Sequence, residues 1–328
     1  MVVPSRNIYE QQNHNKRMTW VIIFSFILFL AFLGFGFDYF YLGLFENNFS
    51  LPIGTIIAVV IGTIMAVSSL ESGATSVLQS TGAEPADPNN PAHQQLINVV
   101  EEMSIASGMP KPQVFVVPDP DPNAFATGKD PAHSYIAVTQ GLLDTLNRDE
   151  LQGVIAHEMS HVRNYDIRLM TVVAAFVGAI VLLSDSGRGG ARFGGLSGRG
   201  SRSRSSGLGG IFLILWLIGI VLAPLIAQVM AMMVSRRREY LADASGAELT
   251  RNPLGLASAL EKLDKASAPT ESIKRGSAHL CIVDPLGRSI NTKEGFAAEL
   301  FGTHPPIEKR VLALDAMAYQ YKTATTSA

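Results

Sequence analysis

Cysteine is nearly absent from this sequence, which contains a single one, Cys281, in 328 residues. A lone cysteine cannot close an internal disulfide, so a disulfide-stabilised fold is excluded. No histidine and asparagine signature of a cysteine hydrolase accompanies Cys281, and a small buried side chain is its ordinary role. The scarcity of cysteine agrees with a reducing compartment.

An excess of charge of one sign is also lacking, because the formal net charge is only -2. Near-neutrality removes any bulk attraction to nucleic acid, and we expect no nucleic-acid partner. The basic residues are instead clustered beside apolar runs, which is the pattern of a chain oriented in a membrane. The sequence has no recognisable internal repeat.

Charged residues are missing from four apolar runs, which are Met18 to Phe37, Leu51 to Leu70, Leu169 to Ser184 and Leu208 to Ser235. The first two have about 20 residues each, enough for a helix to cross a hydrocarbon core of about 30 Å. The first run starts too late and is too long for a secretion signal, so we interpret it as a retained anchor.

The topology of the last two runs stays open. The third run spans only about 24 Å as a helix, and the fourth contains Pro224. Lysine and arginine stand before the first run and after the fourth but are absent from residues 38–50, which places the amino terminus and both soluble parts in the cytoplasm. The arginines of the Gly/Ser/Arg-rich segment 184–210 conflict with this if both runs cross fully. They either span the membrane or dip into it without crossing.

These features divide the chain into five segments. We expect a cytoplasmic tail (1–17), two transmembrane helices (18–70), the first part of a catalytic domain (71–168), two further hydrophobic helices (169–235) and the second part of that domain (236–328). Apolar spacing predicts helices at 93–107, 141–146, 149–164, 253–265 and 305–319, and short strands at 112–117 and 135–139.

The chemistry is concentrated in residues 156–161, which read Ala-His-Glu-Met-Ser-His. On a helix His157 and His161 share one face and can hold one Zn²⁺. Glu158 then lies beside the open coordination position, where it can take a proton from the activated water and pass it to the leaving amine. The ordinary alternative is a pair of surface histidines, but the apolar stripe before the motif favours a buried helix.

A catalytic zinc ion needs a third protein ligand, and the segment Arg238 to Asp243 offers two carboxylates at i and i+4. We assign Glu239 as the ligand. Asp243 would hydrogen-bond the second ring nitrogen of a ligand histidine and fix its tautomer. The alternative is a solvated helix face with Arg/Glu ion pairs. Because both ligand segments adjoin apolar runs, the site should face the cytoplasmic membrane surface, within about 15 Å of its boundary.

At this level of detail the chain resembles the HtpX family of membrane-bound zinc metalloproteases, relatives of the CAAX prenyl endoproteases. The resemblance spans nearly the whole chain, including the paired amino-terminal apolar runs, Asn123 to Gly128, His157 to His161, Arg238 to Asp243, and Thr303 through Arg310. It implies a mainly α membrane protein with up to four transmembrane helices. Its catalytic domain would be gluzincin-like, α with a small β-sheet, with one zinc ion per chain.

The resemblance also implies further site residues. His304 would stabilise the oxyanion, with Arg310 nearby as a supporting cation, although a His-Pro-Pro sequence can simply start a helix. The edge strand that binds the substrate backbone would be formed by Asn123, Ala124, Phe125 and Ala126. An ordinary loop is the alternative for that segment, since Asn and Gly are common in turns.

We therefore expect an endopeptidase in a bacterial or archaeal inner membrane that removes damaged membrane proteins. Its partners would be polypeptide substrates and the lipid bilayer, with other quality-control proteases as candidates, and loops would gate its site. One alternative is a processing enzyme of narrow specificity, such as one that trims a prenylated tail. Another is a zinc-stabilised scaffold or chaperone. Glu158 argues against a scaffold, because a structural zinc needs no base and usually fills its fourth position with protein.

Overall fold

A computed structural model describes residues 8–40, 51–177, 236–266, 272–273, 280–283 and 305–326. The third apolar run is described as far as residue 177. The fourth run, the Gly/Ser/Arg-rich segment and His304 lie outside the described residues.

The first two apolar runs form a helical hairpin of α1 (Ile8–Phe40) and α2 (Ile53–Ser80). Both helices are long and apolar enough to cross a membrane, and only 28% and 17% of their most apolar windows are buried in the fold. Large apolar side chains such as Phe24 and Ile64 therefore face outward, as they do towards lipid. Both helices also extend beyond the apolar runs, at the start of α1 and at the end of α2.

Asp38 ties the two helices together at the end that carries the connecting segment. Its carboxylate accepts hydrogen bonds from the backbone amides of Gly54 (2.6 Å) and Thr55 (2.7 Å) and from the Thr55 hydroxyl (2.6 Å). These amides belong to the first turn of α2, where no earlier carbonyl can accept them. A carboxylate in an apolar helix is thus satisfied because it caps the neighbouring helix.

The sheet lies beside the end of this hairpin and has the order β1-β2-β4-β3. Its strands are β1 (Glu84–Pro85), β2 (Gln113–Val117), β3 (Ala124–Asp130) and β4 (His133–Thr139). Strands β2 and β4 are parallel, whereas β3 and β4 form an antiparallel hairpin. Helix α3 (Pro91–Ser107) connects β1 to β2. It is capped by the Asn90 side chain at its start and by left-handed Gly108 at its end.

The motif helix α5 (Arg148–Arg163) follows the short α4 (Gln140–Thr145) and is buried along most of its length. Asn147 and Glu150 form a capping box at its start. Glu150 also binds Ser258 and Lys262, each at 2.7 Å, from helix α8 (Pro253–Lys265). These contacts fix the beginning of the helix that presents the histidines.

Three more helices lie around α5 and its neighbouring helices. Helix α6 begins at residue 166, directly after a turn, and is described to residue 177. It packs on α1, where the rings of Phe26 and Phe176 stack with centroids 3.9 Å apart. Helices α7 (Arg236–Thr250) and α8 pack directly on α5, and α9 (Ile307–Thr326) packs on α8 and α7. The helices and strands expected from the apolar spacing are confirmed to within a few residues, apart from the last helix, which runs further.

Candidate metal centre

Three buried side chains meet between α5 and α7, namely His157, His161 and Glu239. The Nε2 atoms of the two histidines are 3.2 Å apart. Each Nε2 lies 3.7 Å from an oxygen of Glu239, and one candidate ligand atom from each residue lies within 4.8 Å of the others. The structure thus brings together the three residues that the sequence singled out as metal ligands.

His157 is held from behind by the carboxylate of Asp243. Its Nδ1 lies 2.9 Å from Asp243 Oδ1, which leaves Nε2 directed towards the cluster. Arg310 donates two hydrogen bonds to the same carboxylate, from Nε at 2.8 Å and from Nη2 at 2.7 Å. Burial works against the charged carboxylate, but Arg310 and His157 lower the pKa of Asp243 to about 2. Asp243 therefore lies where the i, i+4 spacing predicted it.

His161 has a corresponding partner that sequence reasoning missed. Its Nδ1 lies 3.1 Å from Oδ2 of Asp166, whose other oxygen accepts hydrogen bonds from Arg238 Nη1 (3.2 Å) and Asn15 Nδ2 (2.6 Å). Asp166 lies five residues beyond His161, past the end of α5. That spacing indicates contact only once the turn at Asn164 and Tyr165 is known.

Glu158 is buried beside the cluster, and among the described residues neither of its oxygens accepts a well-formed hydrogen bond. Burial raises the pKa of Glu158 to about 7, against the opposing effect of His161 and with a further rise from Glu239. The amide of Ala126 is close enough to favour the charged form slightly. A carboxyl group with a pKa near neutrality can both accept and release a proton, as a general base and acid must.

The buried fixed charges of the described residues have a negative excess. The cluster holds four carboxylates, those of Glu158, Asp166, Glu239 and Asp243, and two guanidinium groups, those of Arg238 and Arg310. The two surplus negative charges have to be neutralised, because an uncompensated charge in a buried site is costly. Burial opposes a charged His161, yet its hydrogen bond to Asp166 and the charge of Glu239 raise its pKa to about 9. Protons and a dication compete to neutralise the same excess.

The donor set fits a divalent metal of zinc type. Two imidazole nitrogens and one carboxylate are a common catalytic zinc set, and tetrahedral ligands around zinc stand about 3.4 Å apart. In the cluster the two nitrogens are 3.2 Å apart and each lies 3.7 Å from a different oxygen of Glu239, with one ligand atom from each residue within 4.8 Å of the others. Within the described part of the chain, no fourth metal-binding side chain joins these three residues. Three protein ligands with a fourth position for water or substrate are typical of catalytic rather than structural zinc sites.

The expected substrate strand is present, but its outer edge is covered. Asn123 to Ala126 enter β3 at the edge of the sheet and are buried. Phe125 pairs in antiparallel fashion with Cys281. The Ile282 amide donates to the Ala124 carbonyl at 2.9 Å, and the Asn123 side chain donates to the Val283 carbonyl at 3.1 Å. Residues 280–283 thus occupy the edge where a substrate was expected.

Arg310 has contacts other than those expected of a cation that faces an oxyanion. It is fully buried, and its donors are directed to Asp243 and, at 3.1 Å, to the carbonyl of Ile282. One Nη atom lies 3.6 Å from Glu239. These contacts place the guanidinium of Arg310 behind Asp243, and its role as a supporting cation for the oxyanion stays a prediction.

The cluster also lies beside the membrane hairpin, because Asn15 of α1 contacts Asp166. The site combines a HExxH helix, a glutamate that completes a three-residue metal-binding cluster, and a further buried glutamate, and it is joined to two apolar helices. These are the features of a membrane metalloprotease.

Comparison with known proteins identifies the family. The model of the family described as Peptidase family M48 matches residues 91–318, and the chain belongs to this family. Proteins named "Protease HtpX homolog" from Caldanaerobacter subterraneus subsp. tengcongensis and Streptococcus thermophilus are each 43% identical, over 95% and 94% of this chain and 98% and 100% of their own lengths. The resemblance to the HtpX family is thereby confirmed. The crystal structure of S. mikatae Ste24p aligns with a TM-score of 0.49 at 19% identity, over 94% of this chain and 67% of that chain.

Proposed function

We propose that this metalloprotease is a zinc endopeptidase of the bacterial inner membrane. Its active site would face the cytoplasm, and its substrates would be damaged or misfolded membrane proteins. The observation that carries the proposal is the buried Glu158, with a pKa raised to about 7, beside three converging ligand atoms. The position of the cluster beside α1 supports substrates that emerge from the bilayer.

The residues divide the work as follows. His157, His161 and Glu239 would hold the ion. A zinc ion, when bound, supplies a water molecule of lowered pKa and polarises the scissile carbonyl. Glu158 takes a proton from the attacking water and delivers it to the leaving amine, so that it ends the cycle as it began. Asp243 keeps the proton of His157 on Nδ1, which leaves the Nε2 lone pair free to bind the metal.

Substrate backbone would bind to the outer edge of β3 by strand addition. Residues 280–283 occupy that edge in the antiparallel sense, with the Ala124 carbonyl and the Asn123 amide already engaged. A substrate strand would have to take their place. His304, which follows this region in the sequence, stays a proposed oxyanion-stabilising residue.

The proteolytic role is tested by cleavage of an unfolded model protein by the detergent-purified, zinc-loaded enzyme. We expect Glu158→Gln to retain zinc and to lose activity by about 100-fold or more. Glu248→Gln, which makes the same change at an exposed position of α7, is the control and should cleave normally. A Glu158→Gln enzyme of full activity would refute the assigned base. Zinc-loaded wild type that cleaves no unfolded protein would favour the narrow processing enzyme or the scaffold.

The substrate edge is tested with the single native cysteine. Since the Ile282 amide bonds to the Ala124 carbonyl, Phe125 and Cys281 form a non-hydrogen-bonded antiparallel pair. The Cα atoms of such pairs are about 4.5 Å apart, within disulfide range. Oxidised Phe125→Cys should therefore be locked and inactive, and a reductant should restore cleavage. Phe125→Ser, treated identically, is the control. Equal cleavage by the locked and reduced forms would contradict strand addition at this edge.

A further inference from the structure

The end of α5 nearest the membrane helices has a contact network that the proteolytic mechanism does not use. We propose that Asp166 positions His161 for metal binding, and that Asn15 of the first membrane helix holds Asp166 in place. The inference rests on the proposed function, since it assigns His161 as a zinc ligand. It makes α1 a part of the metal centre as well as an anchor.

The first argument is the geometry of the Asp166 carboxylate. One oxygen faces His161 Nδ1 at 3.1 Å, and the other accepts from Asn15 at 2.6 Å and from Arg238 at 3.2 Å. The Asn15 contact is therefore the shortest hydrogen bond that this carboxylate makes. Asn15 and Asp166 are each only 1% exposed, so water cannot replace either partner. An outer partner of this kind fixes the ring orientation and tautomer of a ligand histidine.

The second argument is that α1 binds the turn that delivers Asp166. The Asn15 side chain also donates to the Asn164 carbonyl at 2.9 Å, and Gln12 donates to the Arg163 carbonyl at 2.8 Å. The ammonium group of Lys16 lies 4.0 Å from the centre of the Tyr165 ring. Gln12 shares a face of α1 with Asn15 and Lys16, which follow it by three and four positions.

The turn itself needs external support. Tyr165 has a φ of 59°, a left-handed conformation that non-glycine residues adopt only when their surroundings impose it. This conformation breaks the helix between α5 and α6 and brings Asp166 back to His161. Asn15 contacts the residues on both sides of Tyr165, through the Asn164 carbonyl and the Asp166 carboxylate, so it holds the strained turn and the carboxylate together.

Gln12 is the comparison residue that distinguishes the positioning of Asp166 from simple attachment of α1 to the turn. It belongs to the same face of α1 and binds the same turn, but it contacts a backbone carbonyl one turn away from Asp166. If α1 merely anchors the turn, loss of Gln12 and loss of Asn15 should have similar effects on zinc. If Asn15 acts through Asp166, only its loss should change how His161 binds metal.

The test measures metal binding by the full-length protein in detergent. Apparent zinc affinity is obtained by competition with a chelator, and the geometry of the site from the visible spectrum of the Co²⁺-substituted protein. We expect Asp166→Asn, which preserves the size of the side chain, to weaken zinc binding about 10- to 100-fold. Asn15→Ala should weaken it by about 10-fold, at the lower end of that range, and should change the Co²⁺ spectrum. Gln12→Ala should do neither.

The outcomes are distinct. Asn15→Ala with wild-type affinity and spectrum would overturn the proposal, and so would equal losses from Asn15→Ala and Gln12→Ala. Should Asn15→Ala fail to fold, the isosteric Asp166→Asn carries the test, and unchanged zinc binding by that variant would overturn the proposal as well. If the wild type binds zinc but cleaves nothing, the comparison of zinc affinities still tests the positioning role. A wild type that binds no zinc would refute the proposed function itself.

Discussion

The two histidines of the motif are held by matching sets of residues that come from different parts of the chain. In the His157 arm (His157, Asp243 and Arg310), the orienting residues lie on α7 and α9. In the His161 arm (His161, Asp166 and Arg238), they lie on α6 and α7, and Asn15 adds a contact from α1. Each arm runs from ring nitrogen to carboxylate to guanidinium.

The arms differ in the number and length of the hydrogen bonds between the guanidinium group and the carboxylate. Arg310 binds its carboxylate through two short hydrogen bonds, whereas Arg238 makes one of 3.2 Å. Burial lowers the pKa of His157, and the charge of Arg310 lowers it further. The carboxylates around His161 outweigh burial and raise its pKa to about 9. Two ligands on one helix can therefore prefer opposite protonation states, because burial dominates at His157 whereas carboxylates outweigh burial at His161.

The largest effect is expected from Glu239→Ala, which removes the carboxylate that both arms share as a neighbour. Zinc affinity should fall by more than about 100-fold, since the loss of a ligand costs more than the loss of an orienting partner. Metal analysis after dialysis against a weak chelator measures this. Metal content equal to that of the wild type would refute the ligand assignment.

The next effect compares the two orienting carboxylates directly. Asp243→Ala leaves the fully buried Arg310 without its two short bonds and should destabilise the metal-free fold by about 3–5 kcal/mol. Asp166→Ala removes the single longer bond to Arg238 together with the neutral hydrogen bond from Asn15, and it should cost about 1–3 kcal/mol. Denaturant unfolding in detergent gives both values. A larger loss for Asp166→Ala would reverse our ranking of the arms.

A smaller effect is expected from Gly246→Ala on α7, where the glycine packs directly against the backbone of His157. The added methyl carbon would lie 3.0 Å from the His157 backbone nitrogen, so α7 must shift slightly and carry Asp243 with it. We expect a destabilisation of about 1–3 kcal/mol and weaker zinc binding.

Gly153→Ala is the matched control for that substitution. Its methyl carbon would lie 2.7 Å from the Leu256 amide nitrogen, in the contact between α5 and α8 and away from the ligands. It should destabilise the fold but leave zinc affinity unchanged. Equal changes in zinc affinity for the two variants would mean that Gly246 has no particular link to the His157 arm.

Sequence reasoning found the His157 arm almost completely but only the ligand of the other arm. Asp243 follows Glu239 by four residues, and helical spacing alone predicts that the two share a face. Asp166 depends on a turn with a left-handed Tyr165, which no periodicity encodes. Asn15 lies 151 residues from its partner, and only the tertiary fold brings them together.

The fold shows the same division. Long apolar runs and helical stripes predicted α1, α2 and most of the helices around the site, because periodicity is a local signal. The covering of β3 by residues 280–283 could not be predicted, since the tertiary fold decides which strand edge such a segment pairs with. The hydrogen bond from the Asn123 side chain to the Val283 carbonyl joins residues that are 160 positions apart.

Zinc K-edge X-ray absorption on the purified protein tests the central claim most directly. The two arms and Glu239 predict one zinc per chain, with nitrogen and oxygen ligands at about 2.0–2.2 Å and imidazole scattering from two histidines. Glu239→Ala should lose this signal. A sulfur shell at about 2.3 Å, or no bound zinc in the wild type, would contradict the account.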